Sequence, residues 1–331
     1  MKIAVLAPFA FPVREPYAGG QERHTAQLVR GMAARGHSVT LLARPGSDAP
    51  EGVRLLPITG GYAAALRQLR AGGFDIVHNN SLDYLPVLTA WRMNCPVVTT
   101  LHTPPYRALR LAARVGRWSD RLHFVTVSAF MQRLWAPYTG RSTIIYNGID
   151  PQAWPFSPQG EPRRAVWSGR ISPEKGTEYA IAAASQAGYA LDLAGPIHDQ
   201  AYFAREVSPY LNDRIRYHGS LSGTELARLM GGAGVGLFTS VWDEPFGLVI
   251  PEMLACGTPV AGFGSGAATE LLYEGVGQLV EKRDVTALVT AMNAAARLQR
   301  RHCRAHSERN FHLETMISGY EELYRRILNR R

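Results

Sequence analysis

The chain has 331 residues, 46% of them hydrophobic and 19% charged, with a formal net charge of +9. This composition is typical of a folded globular protein and leaves room for two domains with their own cores. No apolar run approaches the roughly 20 residues that a membrane-spanning helix needs, which excludes that class of protein.

The amino terminus and the cysteines bear on cellular location. Residues 1–8 are apolar but too short and too soon interrupted for a signal peptide, and they predict a first buried strand. The three cysteines, Cys95, Cys256 and Cys303, are odd in number and lack the spacing of metal ligands. We therefore expect a reducing, cytoplasmic location.

The positive charge is concentrated in the first half of the chain. Residues 1–150 hold 17 Lys and Arg against 8 Asp and Glu, whereas residues 151–331 hold 19 of each. Arginines recur every three or four residues, so that on one helix they would form a stripe; they are Arg107, Arg110, Arg114, Arg117 and Arg121. The stripe is interpreted either as a solvated helix face or as a surface attracted to an anionic membrane or acceptor. Nucleic acid is not an expected partner, because neither aromatic stacking residues nor a known binding motif accompanies the charge.

Strand and helix patterns alternate along the first half. Short, continuously apolar runs predict strands at 2–8, 38–43, 74–78, 97–101 and 124–127. A helix is predicted over 22–35, with Leu28, Val29 and Met32 on one side and Gly36 as its stop. Continuous rather than alternating apolar strands indicate a parallel sheet covered on both faces, as in a doubly wound α/β domain.

A proline-rich interruption separates the halves. Residues 147–151 and 155–162 concentrate proline and glycine, as linkers do. The pattern then restarts, with strands predicted at 165–168, 190–194, 215–218, 235–239, 259–261 and 277–280. The tail, 311–328, places apolar residues at helical spacing and needs a partner surface that either domain could supply. The sequence therefore predicts two parallel-sheet domains facing across a cleft, with ligands at the carboxyl ends of the strands.

The loop after the first strand of the second half carries two cations. Arg170 and Lys175 flank a turn that precedes a predicted helix. A guanidinium offers a planar fork and an ammonium a point charge, so the pair can hold a diphosphate. An isolated pair of this kind is more often two solvated loop cations, and its position after a strand favours the ligand interpretation.

Two carboxylates bracket the segment Glu244-Pro-Phe-Gly-Leu-Val-Ile-Pro-Glu252, inside which a helix is predicted to begin. Glu252 falls in the first helical turn, where the helix dipole stabilises negative charge even without a ligand. A second interpretation is an acid and base pair of a glycosidase. A third is a pair of acceptors for the hydroxyl groups of a nucleotide sugar. The Arg170 and Lys175 loop favours the third, because a glycosidase does not need an anionic substrate.

Further short motifs occur along essentially the whole chain. Together with the two segments above, they are Gly19-Gly20-Gln-Glu22, Arg35-Gly-His-Ser-Val39, Phe74-Asp-Ile-Val-His78, Val127-Ser128, Tyr146-Asn-Gly-Ile-Asp150, Gly169-Arg170, Glu174-Lys175-Gly176, His218-Gly219, the Glu244–Glu252 segment and Ala255-Cys-Gly-Thr-Pro-Val260. In this order the chain resembles glycosyltransferase family 4, the retaining glycosyltransferases of the GT-B fold, and only the combination of the motifs is specific.

The resemblance implies roles for the donor side. Arg170 and Lys175 are expected to neutralise the donor diphosphate, and Glu252 to bind the ribose. Glu244 is expected to hold the donor sugar. Backbone N–H groups are expected to assist it; they belong to Phe246, Gly247 and Leu248.

Further roles fall in the first domain. The resemblance implies that Gly20 approaches the phosphates or the acceptor and that His102, at the end of a strand, reaches the reacting sugar. Without the resemblance, His102 is more often a satisfied loop histidine. The loops 79–83 and 104–111 are expected to shape the acceptor side. The candidate acceptor-side residues are Asn79, Asn80, Ser81 and Ser128.

The resemblance also implies the domain boundaries. The last helix of the family crosses back to the first domain, which gives an acceptor-binding domain of residues 1–155 with 313–331. Residues 156–312 then form the domain that binds the nucleotide sugar.

The expected reaction moves a sugar from a nucleotide diphosphate sugar to an acceptor hydroxyl with retention, by front-face attack. No Asp-x-Asp motif follows a predicted strand end, so we expect no metal, and the nucleotide sugar is a co-substrate rather than a cofactor. The acceptor is expected to be anionic or lipid-linked, with peripheral contact at the inner face of a membrane. The alternatives are a GT-B sugar-nucleotide epimerase and a two-lobed ligand-binding protein. The sequence does not distinguish among UDP, GDP, ADP and dTDP sugars as the donor.

Overall fold

The computed structural model describes residues 1–15, 17 and 19–330, and it divides into two compact units. Unit 1 comprises Met1–Gly148 and Leu313–Arg331, and unit 2 comprises Ile149–His312. The first boundary therefore lies earlier than the predicted 155. The reason is hydrogen bonding: Ile149 N donates to Phe311 O at 2.8 Å, and Arg304 Nη1 donates to Trp154 O at 2.6 Å. Residues 149–155 thus belong with unit 2.

Unit 1 is a parallel sheet of seven strands in the order β3-β2-β1-β4-β5-β6-β7. The strands are β1 Lys2–Leu6, β2 Ser38–Ala43, β3 Val53–Pro57, β4 Ile76–Asn79, β5 Val97–Leu101, β6 Leu122–Thr126 and β7 Ser142–Ile144. The helices are α1 Gly20–Ala34, α2 Gly61–Ala71, α3 Tyr84–Leu88, α4 Arg107–Gly116 and α5 Ala129–Thr139, with a 3₁₀ turn at Ala90–Arg92. The central strands are buried along almost their whole length, as their continuous apolar runs predict.

Two strands of unit 1 were not predicted. Strands β3 and β7 lie at the two edges of the sheet, and most of their residues are only half-buried. An edge strand needs fewer apolar residues, so it leaves a weaker signal in the sequence.

The five arginines of the predicted stripe do not lie along one face of a single helix, so this prediction is wrong. Helix α4 ends at Gly116, so Arg117 and Arg121 lie beyond it. Arg110 is half-buried, with its guanidinium 3.5 Å from the hydroxyl of Tyr138. The apparent periodicity continues through a turn that leads into β6.

Unit 2 is a parallel sheet of six strands in the order β10-β9-β8-β11-β12-β13. The strands are β8 Glu161–Ser168, β9 Ala190–Ala194, β10 Ile215–Tyr217, β11 Ala233–Phe238, β12 Val260–Phe263 and β13 Gly277–Val280. The α-helices are α6 Thr177–Ala187, α7 Gln200–Tyr202, α8 Gly223–Gly232, α9 Val249–Ala255, α10 Ala268–Leu271, α11 Val285–Ala295 and α12 Arg300–Phe311. Short turns of 3₁₀ or π helix lie at Pro173–Lys175, Phe203–Val207 and Ser208–Tyr210. Since β8 begins at Glu161, the predicted linker over 155–162 runs into a strand.

The last helix, α13 (Leu313–Leu328), packs on unit 1. Its buried residues Ile317, Tyr320 and Tyr324 join the core beneath α1. Arg35, just past α1, donates to Glu321 Oε2 at 2.9 Å and to Glu314 Oε2 at 2.7 Å. The two helices approach so closely because α1 has a glycine at position 31, where an added Cβ would lie 2.7 Å from the Ile317 side chain.

This close packing predicts that Gly31→Val destabilises the protein by about 1–3 kcal/mol, because Ile317 has no room to retreat in a packed core. The matched control is Gly223→Val at the start of α8, where an added Cβ meets nothing within 4 Å. Denaturant unfolding measures both variants. Equal stability of the two would contradict the close approach of α13 to α1.

Candidate active site

The carboxyl edge of the unit 2 sheet brings three loops together. Strands β8, β11 and β12 are neighbours, and the loops that follow them are 169–176, 239–248 and 264–267. The Thr239 hydroxyl donates to Gly176 O at 2.7 Å, and Val241 N donates to Glu174 O at 3.0 Å. Ala267 N donates to Glu244 O at 2.9 Å. Hydrogen bonds to backbone carbonyl groups therefore hold the three loops together.

The side chains of Lys175 and Glu244 meet at this edge. The Lys175 ammonium pairs with Glu244 Oε1, and the Ser240 hydroxyl donates to the same oxygen at 2.9 Å. Glu244 is only 8% exposed. Removing one partner of such a pair leaves a charge without compensation in a poorly solvated place. The structure thus brings together Lys175, a predicted diphosphate-binding cation, and Glu244, a predicted sugar-binding carboxylate.

Arg170 is held more loosely. Half of its side chain is exposed, and Nη2 lies 3.9 Å from Glu174 Oε1, which is too long for a hydrogen bond. The guanidinium fork is therefore accessible to an anion without breaking a strong contact.

Glu252, the second glutamate of the Glu244–Glu252 segment, lies inside helix α9. Glu252 is 4% exposed and falls in the first turn, where the helix dipole favours a carboxylate. The chain enters the helix through Gly247, whose φ of +86° favours glycine, and through Leu248 at the N-cap. The ring of Phe246 is buried, 5.9 Å from Phe311 in an edge-on contact. The helix start that the sequence predicted is present.

Two supporting residues were missed in the sequence. A Cβ on Gly266 would lie 2.3 Å from the backbone oxygen of Glu244, and its φ is +57°, so only glycine allows this approach. Ser240, described above, holds the carboxylate of the same glutamate. The pair of glycines at 264 and 266, directly after a strand, was a signal that could have indicated Gly266.

In unit 1, Asn80 is the centre of a buried polar network. Its Oδ1 accepts from His102 Nε2 at 2.9 Å and from His78 Nε2 at 3.1 Å. Its Nδ2 donates to His24 Nδ1 at 3.0 Å and to the hydroxyl of Thr25 at 3.0 Å. With the amide in this orientation, His102 carries its proton on Nε2 and leaves Nδ1 as an acceptor.

Helix α13 closes the same network. The hydroxyl of Tyr320 lies 3.3 Å from His24 Nε2 and 3.1 Å from the hydroxyl of Thr100, and the hydroxyl of Tyr324 bonds His78 Nδ1. The carboxyl-terminal helix therefore supports the strand ends that carry the predicted site residues of unit 1.

The three histidines of the network are held neutral. Burial, followed by the neighbouring His78, lowers the pKa of His102 to about 3. Burial lowers the pKa of His78 to about 4, and burial with the two other histidines places the pKa of His24 well below its usual value. At neutral pH, His102 is thus a hydrogen-bonding group and not a proton donor of the imidazolium type.

The other predicted residues of unit 1 have internal partners. Asn79 Oδ1 accepts from the Ser81 hydroxyl at 2.7 Å, and the Ser128 hydroxyl caps α5 by accepting from Met131 N at 3.1 Å. All three are buried. Gly20 is the exposed first residue of α1. Contact of these residues with an acceptor stays a prediction.

Neither a metal-ligand cluster nor a membrane-spanning helix is present among the described residues. Over residues 1–15, 17 and 19–330, no group of three or more His, Cys, Asp and Glu side chains is arranged to hold a metal ion. Within the same ranges, no helix has the length and apolar character needed to cross a bilayer. The three cysteines, all within the described residues, are buried thiols that are not joined in a disulfide.

Two family descriptions match consecutive parts of the chain. Residues 18–153 match "Glycosyltransferase Family 4", and residues 150–310 match "Glycosyl transferases group 1". The chain therefore belongs to glycosyltransferase family 4, with the GT-B fold, and transfers a sugar from a nucleotide sugar. The prediction of a glycosyltransferase is confirmed.

Named relatives are similar over most of their length. A glycogen synthase of Mycobacterium tuberculosis is 29% identical over 92% of this chain and 91% of its own. A phosphatidyl-myo-inositol mannosyltransferase of Mycobacterium leprae is 29% identical over 93% and 91%. Among solved structures, AviGT4, a glycosyltransferase involved in avilamycin A biosynthesis, has a TM-score of 0.78 and 25% identity over 99% of this chain and 98% of its own. HepE of Anabaena in complex with UDP-glucose has a TM-score of 0.77 at 19% identity over 98% and 99%.

The neutral histidine network predicts a specific loss of stability in acid. The folded pKa of His78, about 4, lies below the ordinary 6.5, so its contribution is complete above pH 6.5 and is lost as pH falls toward 4. His78→Gln should reduce the slope of unfolding free energy against pH by about 1.4 kcal/mol per pH unit in that window.

The matched control is His302→Gln, which removes an exposed histidine of α12. Denaturant unfolding at several pH values between 4 and 7 gives the slopes, which are compared in place of absolute stabilities. An unchanged slope in His78→Gln would contradict the neutral network.

Proposed function

We propose that this enzyme is a retaining glycosyltransferase that works by front-face attack without a metal ion. The observation that carries the proposal is the cluster of Lys175, Glu244 and Ser240 between two strand-end loops of unit 2, with the accessible guanidinium of Arg170 on the first of these loops. The cations match a diphosphate, and the buried carboxylate matches sugar hydroxyl groups.

The donor is proposed to bind along this edge. Lys175 and Arg170 hold the diphosphate, Glu244 accepts from hydroxyl groups of the sugar, and Glu252 accepts from the ribose. Backbone N–H groups at the start of α9 complete the sugar contact; they belong to Phe246, Gly247 and Leu248. HepE, which shares the fold, holds UDP-glucose, and this is consistent with a nucleotide-sugar donor.

The proposed chemistry needs no protein nucleophile. The bond between the anomeric carbon and the phosphate oxygen breaks, and the acceptor hydroxyl attacks from the same face. Its proton passes to the departing phosphate oxygen. Lys175 and Arg170 stabilise the charge that grows on the phosphate. His102, held neutral by its surroundings, accepts a hydrogen bond from a hydroxyl of the reacting sugar at Nδ1.

The acceptor side is proposed to lie in unit 1. Asn79, Asn80, Ser81 and Ser128 are buried and bonded to their neighbours, so we assign them to holding the loops and His102 in place. Gly20, exposed at the start of α1, is proposed to approach the phosphates or the acceptor. The excess charge of residues 1–150 supports an anionic or lipid-linked acceptor and peripheral contact with the cytoplasmic face of a membrane.

The diphosphate assignment predicts that Lys175→Ala and Arg170→Ala each lose about 2.7–4 kcal/mol of transition-state stabilisation, or roughly 10²–10³-fold in kcat, as for one lost oxyanion donor. Steady-state kinetics measure the loss, with circular dichroism to confirm folding, because Lys175→Ala also leaves Glu244 without its cation. The matched control is Lys282→Ala, which removes the partly exposed ion-pair partner of Asp243. Near-wild-type turnover in either site variant would contradict the assignment.

The ribose assignment predicts that Glu252→Ala weakens binding of the free nucleoside diphosphate by roughly 10- to 100-fold, the size of a lost hydrogen bond to a charged group. Titration calorimetry measures the affinity, and Glu308→Ala on the exposed side of α12 is the control. Unchanged affinity in Glu252→Ala would argue against ribose contact.

The metal-independent mechanism predicts full turnover in excess chelator, since cationic side chains supply the charge that a metal ion would otherwise bring to the phosphates. Activity is measured before and after dialysis against chelator, and again after Mg²⁺ is added. A loss of activity that Mg²⁺ restores would defeat this part of the proposal.

A further inference from the structure

Unit 1 contains a groove lined by five arginines, which we name the arginine groove. Its volume is about 1430 Å³, and its arginines are Arg117, Arg121, Arg141, Arg326 and Arg330. It lies at the amino ends of β6 and β7, where Leu122 and Ser142 begin their strands, and the last turns of α13 form its other wall. Ligands of parallel sheets bind at the opposite, carboxyl edge, so the proposed sugar transfer does not use this groove.

The described residues do not balance the charge of the arginine groove. Among the described residues that line it, Asp120 is the one carboxylate. In the part of the chain that the structure describes, none of the five arginines forms an ion pair with a carboxylate. Like charges at this density repel one another, and an anion in the groove would relieve that repulsion.

Two polar groups of the lining also lack an internal partner. Arg121 Nη1 and Ser142 Oγ are shielded from solvent, and neither has a hydrogen-bond partner among the described residues. Buried polar groups are rarely left in this state. Guanidinium groups bind phosphate oxygens through paired N–H donors, so phosphate is the anion that suits this lining.

Large exposed apolar side chains lie on α4 and on the segments that precede β5 and β6, and one of them lines the groove. Trp118 lines it and is 78% exposed, with the guanidinium of Arg117 4.8 Å from its ring. Leu111 on α4 is 66% exposed. Trp91, which precedes the neighbouring strand β5, is 59% exposed and has Arg92 stacked on it at 4.7 Å. Because β5 and β6 are parallel neighbours, both tryptophan–arginine pairs lie at the same edge of the sheet.

Exposed tryptophan next to arginine is typical of a surface that enters the interface of a membrane, where the indole ring lies at the level of the headgroups. A soluble polyanion would need the arginines but would not need exposed tryptophan and leucine. The apolar rim therefore favours a lipid surface as the source of the phosphate.

We propose that the arginine groove binds the phosphate headgroups of an anionic lipid bilayer, with Trp118 entering the interface. The proposal rests on the peripheral membrane contact proposed above and is independent of the sugar-transfer mechanism. It assigns that contact to the amino edge of the unit 1 sheet.

The test uses the full chain and cosedimentation with vesicles of phosphatidylcholine alone or mixed with phosphatidylglycerol. Binding should require the anionic lipid. The variant Arg121→Gln, Arg141→Gln, Arg326→Gln should bind roughly 100-fold more weakly, at about fivefold for each basic residue near an anionic surface. The matched control is Arg228→Gln, Arg297→Gln, Arg301→Gln, which removes the same charge from exposed positions of unit 2.

Two further measurements separate the outcomes. Tryptophan fluorescence should shift to the blue on anionic vesicles and shift less in Trp118→Phe. Equal binding to both kinds of vesicle, or equal weakening in the two triple variants, would overturn the proposal. Binding of soluble tripolyphosphate without binding of vesicles would overturn the lipid assignment. Nucleoside diphosphate affinity, measured in parallel, reports on the donor site alone, so failure of one proposal is distinguishable from failure of the other.

Discussion

The contact between Lys175 and Glu244 is the interaction on which the proposed donor site depends. It joins the loop after β8 to the loop after β11. The Ser240 hydroxyl donates to the glutamate carboxylate, and Gly266 packs closely against the glutamate backbone. A cation and an anion in a poorly solvated place attract each other strongly, and each also presents its charge to a ligand. In the proposed function, a diphosphate and a sugar hydroxyl bind side by side here with little rearrangement of the protein.

The buried polar network of unit 1 is built from uncharged groups. Asn80 connects three histidines that burial keeps neutral, and Tyr320 and Tyr324 reach the network from α13. A hydrogen-bonded network of this kind holds its members in one arrangement, because an unpaired polar group would be costly at this depth. The carboxyl-terminal helix thus stabilises the strand ends that carry His102, in addition to closing the core.

The sequence predicted those parts that depend on local pattern. The apolar runs at β1, β2 and β5, the helix start after Gly247 and the loop with Arg170 and Lys175 all followed from periodicity, glycine and charge. Edge strands β3 and β7 were missed because half-exposed strands resemble loops in composition. The Asn80 network and the position of Gly266 against Glu244 depend on contacts between distant segments, which no local pattern contains. The arginine stripe was wrong because spacing alone does not show where a helix ends.

The central claim is that unit 2 binds a nucleotide sugar through Lys175 and Glu244. Thermal unfolding with a panel of UDP, GDP, ADP and dTDP sugars tests it most directly, on the wild type and on Lys175→Met. A ligand present at 100 times its Kd should stabilise the wild type by about 2.7 kcal/mol and the variant much less. A panel in which no nucleotide sugar raises the unfolding temperature, or in which the variant keeps the full shift, would contradict the account.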